Sequence, residues 1–305
     1  MDINCNVTTL EAQTQINSTI FDLVKTVSMC VSCTLNTILS VPLLLVITRS
    51  PSLLRQTRFL LLTHLLFCDN LEQLISTVKA VLLRSREGIP VAQCLIFCAA
   101  IQACLMVDLF LSTAMAVDRF VAVKFPLRYE FLICPQRKRA AIAAIWTLSV
   151  VVISVSLCID LNTIQVNFSL PRCRPLIMTP CLSRTSAVVL YCTVGAALLT
   201  PLCFLTILGC FCLLCWDMRA GLLCTKRAGV TLTLQVVQTI LFSVPVVTDS
   251  YLIPGYLHSD ALDIATTITY NLGVSLVPLV YGYRSRELQH RIRQAAHRNK
   301  ENNQS

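Results

Sequence analysis

The sequence predicts an all-α integral membrane protein: a seven-transmembrane helix bundle with a short amphipathic C-terminal helix. Three observations carry this. Of 305 residues, 55% are hydrophobic and only 13% are charged, about half the charged share of a soluble domain, and the mean hydropathy is +0.69. Seven apolar runs each reach the roughly 20 residues that a helix needs to cross hydrocarbon. Lysine and arginine are divided unequally between the loops that join those runs.

Inside lipid a segment must satisfy its own backbone N–H and C=O groups, so each run is read as a helix. The first spans 22–48 and is interrupted by Asn36 and Pro42. The second, 57–83, carries Asp69 and Glu72. The third is 91–123, and the fourth, 138–159, is centred on Trp146. The fifth, 186–216, contains Pro201, and the sixth, 226–252, contains Pro245. The seventh, 261–283, has Pro278 near one end. Beyond it, Leu288, Ile292, Ala295 and Ala296 fall on one helical face with bases opposite, the pattern of a helix lying on the membrane surface. The domain reading is an extracellular terminus at 1–21, the transmembrane unit at 22–283, and a cytoplasmic amphipathic helix and tail at 284–305. No repeat or second domain is evident.

Placing the N-terminus outside puts 18 of the 25 Lys and Arg residues on the inner side, as the positive-inside rule requires. The net charge of +9 then reflects basic loops at an anionic leaflet rather than a nucleic-acid partner. Three glycosylation triplets, at Asn6, Asn17 and Asn167, all fall on the outer side. The first 20 residues are polar, so the first span is expected to act as its own insertion signal.

Charges within these runs point to function. A carboxyl at mid-bilayer costs on the order of 3 kcal/mol, so it normally faces the bundle interior. Asp69 and Asp108 are such groups. They suit a proton relay, a bound cation such as sodium, or a structural pair sharing one proton. With Asn36 they form the expected intramembrane polar site. At the inner end of the third run, Asp118 and Arg119 stand side by side where lipid gives way to water. Arg119 cannot lose its proton, and Asp118 is its expected restraint.

The stretch from Met115 to Tyr129, Met-Ala-Val-Asp-Arg-Phe-Val-Ala-Val-Lys-Phe-Pro-Leu-Arg-Tyr, resembles the signature of olfactory receptors within the rhodopsin-like G-protein-coupled receptors. The resemblance extends along the chain: Asn36, Leu65 with Asp69, Cys94 placed 25 residues before Arg119, Trp146, Pro201, and Val277-Pro-Leu-Val-Tyr281. Asp108, eleven residues before Arg119, matches an acid typical of the olfactory branch. Two features depart from the pattern. Val277 replaces an Asn, and the sixth run lacks the family motifs, offering only Ser243-Val-Pro245 and the pair Lys226-Arg227. No acid stands at its inner end to hold Arg119.

The resemblance implies a heterotrimeric G protein as partner, a plasma-membrane location, and Asp118, Arg119, Phe120, Pro278 and Tyr281 as the coupling and activation residues. It implies a Cys94–Cys173 disulfide and a second bridge, Cys158–Cys181. It also implies a pocket on the face of the third helix that carries Ile101 and Leu105, with Gln102, Thr193, Asp249 and Tyr270 as orienting groups. Helix packing is the competing role for each of these polar residues. Amine receptors carry an Asp where Ile101 stands, so a small, uncharged or weakly polar odorant is expected.

The alternative is a non-olfactory rhodopsin-like receptor for a peptide or lipid. A transporter would show repeat symmetry and broken helices at matching positions, and neither is found. No enzyme is expected, because no catalytic constellation appears. No metal or other cofactor site is expected: Cys210, Cys212 and Cys215 sit in an apolar run without a histidine and read as small apolar side chains. Peptide mapping without reductant is expected to recover Cys94 linked to Cys173; a Cys94–Cys181 peptide contradicts the pairing.

Overall fold

The computed structural model describes residues 3–85, 89–163, 169–170, 198–219, 237, 240–241, 260–279 and 288. The helices are α1 (Ile3–Thr48), α2 (Pro51–Leu54), α3 (Thr57–Ser85), α4 (Val91–Lys124), α5 (Tyr129–Leu132), α6 (Pro135–Thr163), α7 (Thr200–Arg219) and α8 (Asp260–Val277). A single turn of tighter helix, Pro126–Arg128, leads into α5.

Among the described residues, three stretches are long and apolar enough to cross a membrane: Leu23–Thr48, Ala92–Lys124 and Pro135–Val155. Thr200–Trp216 is a shorter apolar helix. The long α3 falls outside this class because Arg58, His64, Asp69, Glu72, Lys79 and Arg84 lie along it. It packs against both α1 and α4, while α4 also meets α6 and α7, and α1 meets α8.

The distribution of apolar surface fits lipid. Ile38, Leu148, Val151, Leu202 and Leu205 are exposed, whereas the polar residues Asn36, Asp69, Glu72, Gln73 and Asp108 are buried. Water reverses that preference. The main apolar core joins α1, α2, α3, α4 and α8 through Leu43, Ile47, Leu53, Leu65, Leu66, Leu111, Met115 and Val277. Leu288 is helical and fully buried in the same core, so the apolar face read beyond residue 283 is anchored by at least this side chain.

Three features differ from the sequence reading. The first helix begins at Ile3 rather than near residue 22, since no Gly or Pro interrupts it before Pro42; Asn6 and Asn17 therefore lie on a helix. A short strand pair, β1 (Ile89–Pro90) with β2 (Ser169–Leu170), is antiparallel and matches Ile89 to Leu170. It brings the second outer connection against the top of α4, beside Cys94, which is disulfide-bonded. Its expected partner Cys173 lies outside the described residues. Cys158 is an exposed free thiol, so the second bridge to Cys181 is not formed. With Cys181 outside the described residues, no geometry accounts for the difference.

Leu65→Ala, at a fully buried site, is expected to destabilise the protein by about 2–5 kcal/mol. Ile38→Ala, 66% exposed, should leave the unfolding temperature in detergent nearly unchanged.

Candidate functional site

Two polar constellations sit within the bundle, one in its interior and one at its inner end. The interior one starts from α3. Asp69, Glu72, Gln73 and Ser76 follow the spacing i, i+3, i+4, i+7, which lays one polar stripe along an otherwise apolar helix. The stripe faces α4, α1 and α8.

At one end of the stripe, Asp69 approaches Asp108 of α4, and the two carboxyl groups act on each other electrostatically. Among the described residues, none of their four oxygens meets an N–H or O–H donor. Two carboxyl groups so placed need a proton or a small cation between them. The neighbouring Cys68 thiol donates instead to the Cys104 carbonyl, 3.4 Å away. Asn36 is buried, but its side-chain oxygen accepts from Ser40 on its own helix at 3.1 Å. Its Nδ2 meets no acceptor.

One turn outward, Ser76 Oγ donates to Glu72 Oε1 at 2.8 Å, and the Tyr270 hydroxyl approaches the same carboxyl from α8. Gln73 Nε2 reaches Ser32 Oγ of α1 at 3.3 Å and Asn271 Oδ1 of α8 at 3.4 Å. These side chains frame a cavity of about 160 Å³, lined by Met29, Glu72, Gln73, Ser76, Thr77, Leu105, Thr266, Thr267, Tyr270 and Asn271.

Two of the ligand-site residues read from the sequence, Leu105 and Tyr270, line this cavity. Ile101 and Gln102 are half-buried on α4 but are not among its walls. Thr193 and Asp249 lie outside the described residues. Gln73, Ser76 and Asn271 escaped the sequence reading, which noted Glu72 only as a charge in the second span. The period-3.6 polar stripe was the signal that would have found the α3 members.

At the inner end of α4, Asp118 is buried and accepts a hydrogen bond from the Tyr129 hydroxyl at 2.8 Å. Thr57 Oγ1 lies 3.4 Å from that hydroxyl. Lys138 Nζ, from the start of α6, donates to the Arg55 carbonyl at 2.7 Å and to Thr57 Oγ1 at 3.3 Å. Arg119, Lys138 and Arg58 act on Asp118 through their charges. Adjacent helical residues do not face each other, which explains why the hydrogen bond to Asp118 comes from the loop helix α5 rather than from Arg119. Burial raises the Tyr129 phenol above its ordinary value; the Thr57 contact opposes that, and the bond to Asp118 adds to it. The phenol is thus a proton donor at neutral pH. Phe120 packs with Ala116 against Ile207 and Cys210 of α7, and Pro278 is buried in a wider, π-type turn after α8. Tyr281 lies outside the described residues.

The chain matches the family described as "7 transmembrane receptor (rhodopsin family)" over residues 40–305. It is similar to an adenosine receptor A2b of Gallus gallus, 39% identical over 59 residues, which are 19% of this chain and 17% of the relative. An adenosine receptor A2a of Equus caballus is 36% identical over 63 residues, 17% of this chain and 15% of the relative. An adenosine receptor A2b of Bos taurus is 38% identical over 63 residues, covering 17% and 19%. The chain thus spans less than a fifth of the length of these relatives.

Tyr129→Phe leaves the buried Asp118 carboxyl without its hydroxyl donor and should cost about 1–3 kcal/mol. The measurement is thermal unfolding of the purified protein; an unchanged midpoint means the bond does not hold the inner end together.

Proposed function

The chain belongs to the rhodopsin family of seven-transmembrane receptors, and from that premise we propose that it is an olfactory-type receptor of the plasma membrane. A small molecule binds within the bundle and favours the conformer that admits a heterotrimeric G protein at the inner face. Ligand binding drives signalling only through a difference in affinity between the two conformers.

The observation that carries the reading is the inner clasp. Asp118 is held by Tyr129, and Tyr129 belongs to the connection between α4 and α6. The charge that neighbours Asp118, Arg119, is therefore coupled to the segment that a G protein would contact. In this reading Arg119 makes the G-protein contact, Asp118 and Tyr129 restrain it, and Phe120, Pro278 and Tyr281 transmit the rearrangement. Asn36, Asp69 and Asp108 form the polar site that links the ligand cavity to that end, with a proton or a sodium ion between the two acids. The N-terminus, carrying Asn6 and Asn17 as glycan acceptors, faces outward with Asn167, and the C-terminal tail faces the cytoplasm. A Cys94–Cys173 bridge ties the second outer loop to α4.

The olfactory assignment rests on the Met115–Tyr129 stretch and on Asp108. The second reading, a non-olfactory receptor for a peptide or lipid, is favoured by the departure of the sixth run from the olfactory pattern. The similarity to adenosine receptors also lies outside the olfactory branch. Expression confined to olfactory neurons supports the first reading, and its absence there supports the second.

In cells expressing the receptor, an odorant screen read through cAMP is expected to yield an agonist. Arg119→Ala should then reduce the response by more than about tenfold, as loss of a buried charged contact does, with surface expression retained. An undiminished response removes Arg119 from the coupling site.

A further inference from the structure

We propose that the cavity bounded by α1, α3, α4 and α8 receives a small ammonium-bearing ligand, with Glu72 as the group that holds its positive charge. The proposal deepens the receptor reading above, on which it rests, and names the chemistry of the ligand.

The first argument is the inventory of unmet groups. Glu72 and Gln73 are each 3% exposed and Asn271 is 8% exposed, and all three line the cavity. Each keeps one atom without a partner: Glu72 Oε2, Gln73 Oε1 and Asn271 Nδ2. A buried polar atom left unpaired costs free energy comparable to a lost hydrogen bond, and an unpaired charge costs more. Two of the three are acceptors, on consecutive residues of α3, and one of those belongs to a carboxyl. Their complement is a group with several hydrogens and a positive charge. An ammonium has three N–H donors and no acceptor. Asn271 Nδ2 remains to meet an oxygen or a π-face elsewhere on the ligand.

The second argument is charge. Glu72 and Asp69 both act on Asp108 electrostatically, so three carboxyl groups on two touching helices share this interior. The base whose charge reaches Glu72 is Lys79, about two turns outward on the same helix. Lys79 forms no ion pair with it and leaves Oε2 open. An entering cation meets a carboxyl whose Oε2 no side chain of the bundle pairs.

The third argument is size. The cavity of about 160 Å³ resembles, in volume, the roughly 150 Å³ that accommodates benzene in an engineered protein interior. Six to eight non-hydrogen atoms fit, with Met29 and Leu105 as apolar walls. The amine-binding Asp missing at Ile101 on α4 therefore has a counterpart on α3. This replaces the uncharged ligand expected from the sequence.

The test compares two probes of one shape, cyclopentylamine and cyclopentanol, on the full-length receptor purified in lipid nanodiscs. At up to about 10 mM, cyclopentylamine should raise the unfolding temperature by mass action, while cyclopentanol should not. Glu72→Gln should weaken the amine by roughly tenfold or more, as removal of one charge from a buried pair does. Equal shifts from amine and alcohol, no shift from the amine, or an undiminished shift in Glu72→Gln each overturn the proposal. The comparison on the wild-type chain decides the matter even where the variant does not fold. No G protein is involved, so binding without signalling would reject the receptor reading instead. A cAMP response to a neutral odorant, with no amine binding, would reject only this inference.

Discussion

A carboxyl group in hydrocarbon costs on the order of 3 kcal/mol, and this chain puts three of them, Asp69, Glu72 and Asp108, at positions no more than 3% exposed. That cost organises the bundle. It forces the polar face of α3 inward, so α3 packs between α1 and α4 while α1 and α6 turn apolar side chains to lipid. It also fixes what the interior contains. Because Ser76 donates to Glu72, Gln73 is tied to Ser32 and Asn271 and Asp108 of α4 acts on Asp69, four helices meet around polar atoms rather than around a close-packed apolar plug. The cavity is a consequence of that arrangement: side chains that must reach one another across a gap leave the gap between them.

The inner end follows a different logic. There the apolar core is continuous, running from Leu43 through Leu65 and Leu111 to Val277 and Leu288, and polar contacts lie only at its rim. Lys138 reaches the backbone of Arg55, and Tyr129 reaches Asp118. The first joins residues 83 apart in the chain, and the second folds the loop helix α5 back onto α4. Exposed versions of such contacts contribute little, but Asp118 and Thr57 are buried, and a buried carboxyl deprived of its donor is costly. The clasp thus resists relative movement of α3, α4 and α6 at the face where a G protein would dock.

Much of this was legible from residue types and spacing. The apolar runs give the described helices, because hydrocarbon permits almost no other backbone. The Asp118-Arg119 pair marks the inner end of α4 by its position alone. Three things were not legible. The extension of α1 to Ile3 lies in a polar stretch where helix propensity, not hydropathy, decides. The Tyr129–Asp118 bond depends on how a short loop helix folds back over eleven residues of chain. The cavity depends on which polar residues of α3 and α8 meet, and a hydropathy profile treats Gln73, Ser76 and Asn271 merely as interruptions. Their helical period was present in the sequence, but its meaning required knowing that Tyr270 and Asn271 of α8 stand opposite.

The two polar regions share α3 and α4 as their common walls. Glu72 lies three residues from Asp69 on α3, and Asp108 lies ten residues from Asp118 on α4, so one pair of helices carries the cavity, the acidic pair and the clasp in order along its length. Positive charge brought to Glu72 changes the field at Asp108, since the two already interact. On the proposed reading, a cation between Asp69 and Asp108 would be held less strongly once an ammonium group stood one turn away at Glu72, as like charges at short range in a poorly screened interior repel. Coupling of this kind needs no chain of mechanical contacts between cavity and clasp. It needs only that the packing of α3 on α4 respond to the charge between them, and those two helices are joined along the polar stripe that the acids themselves impose.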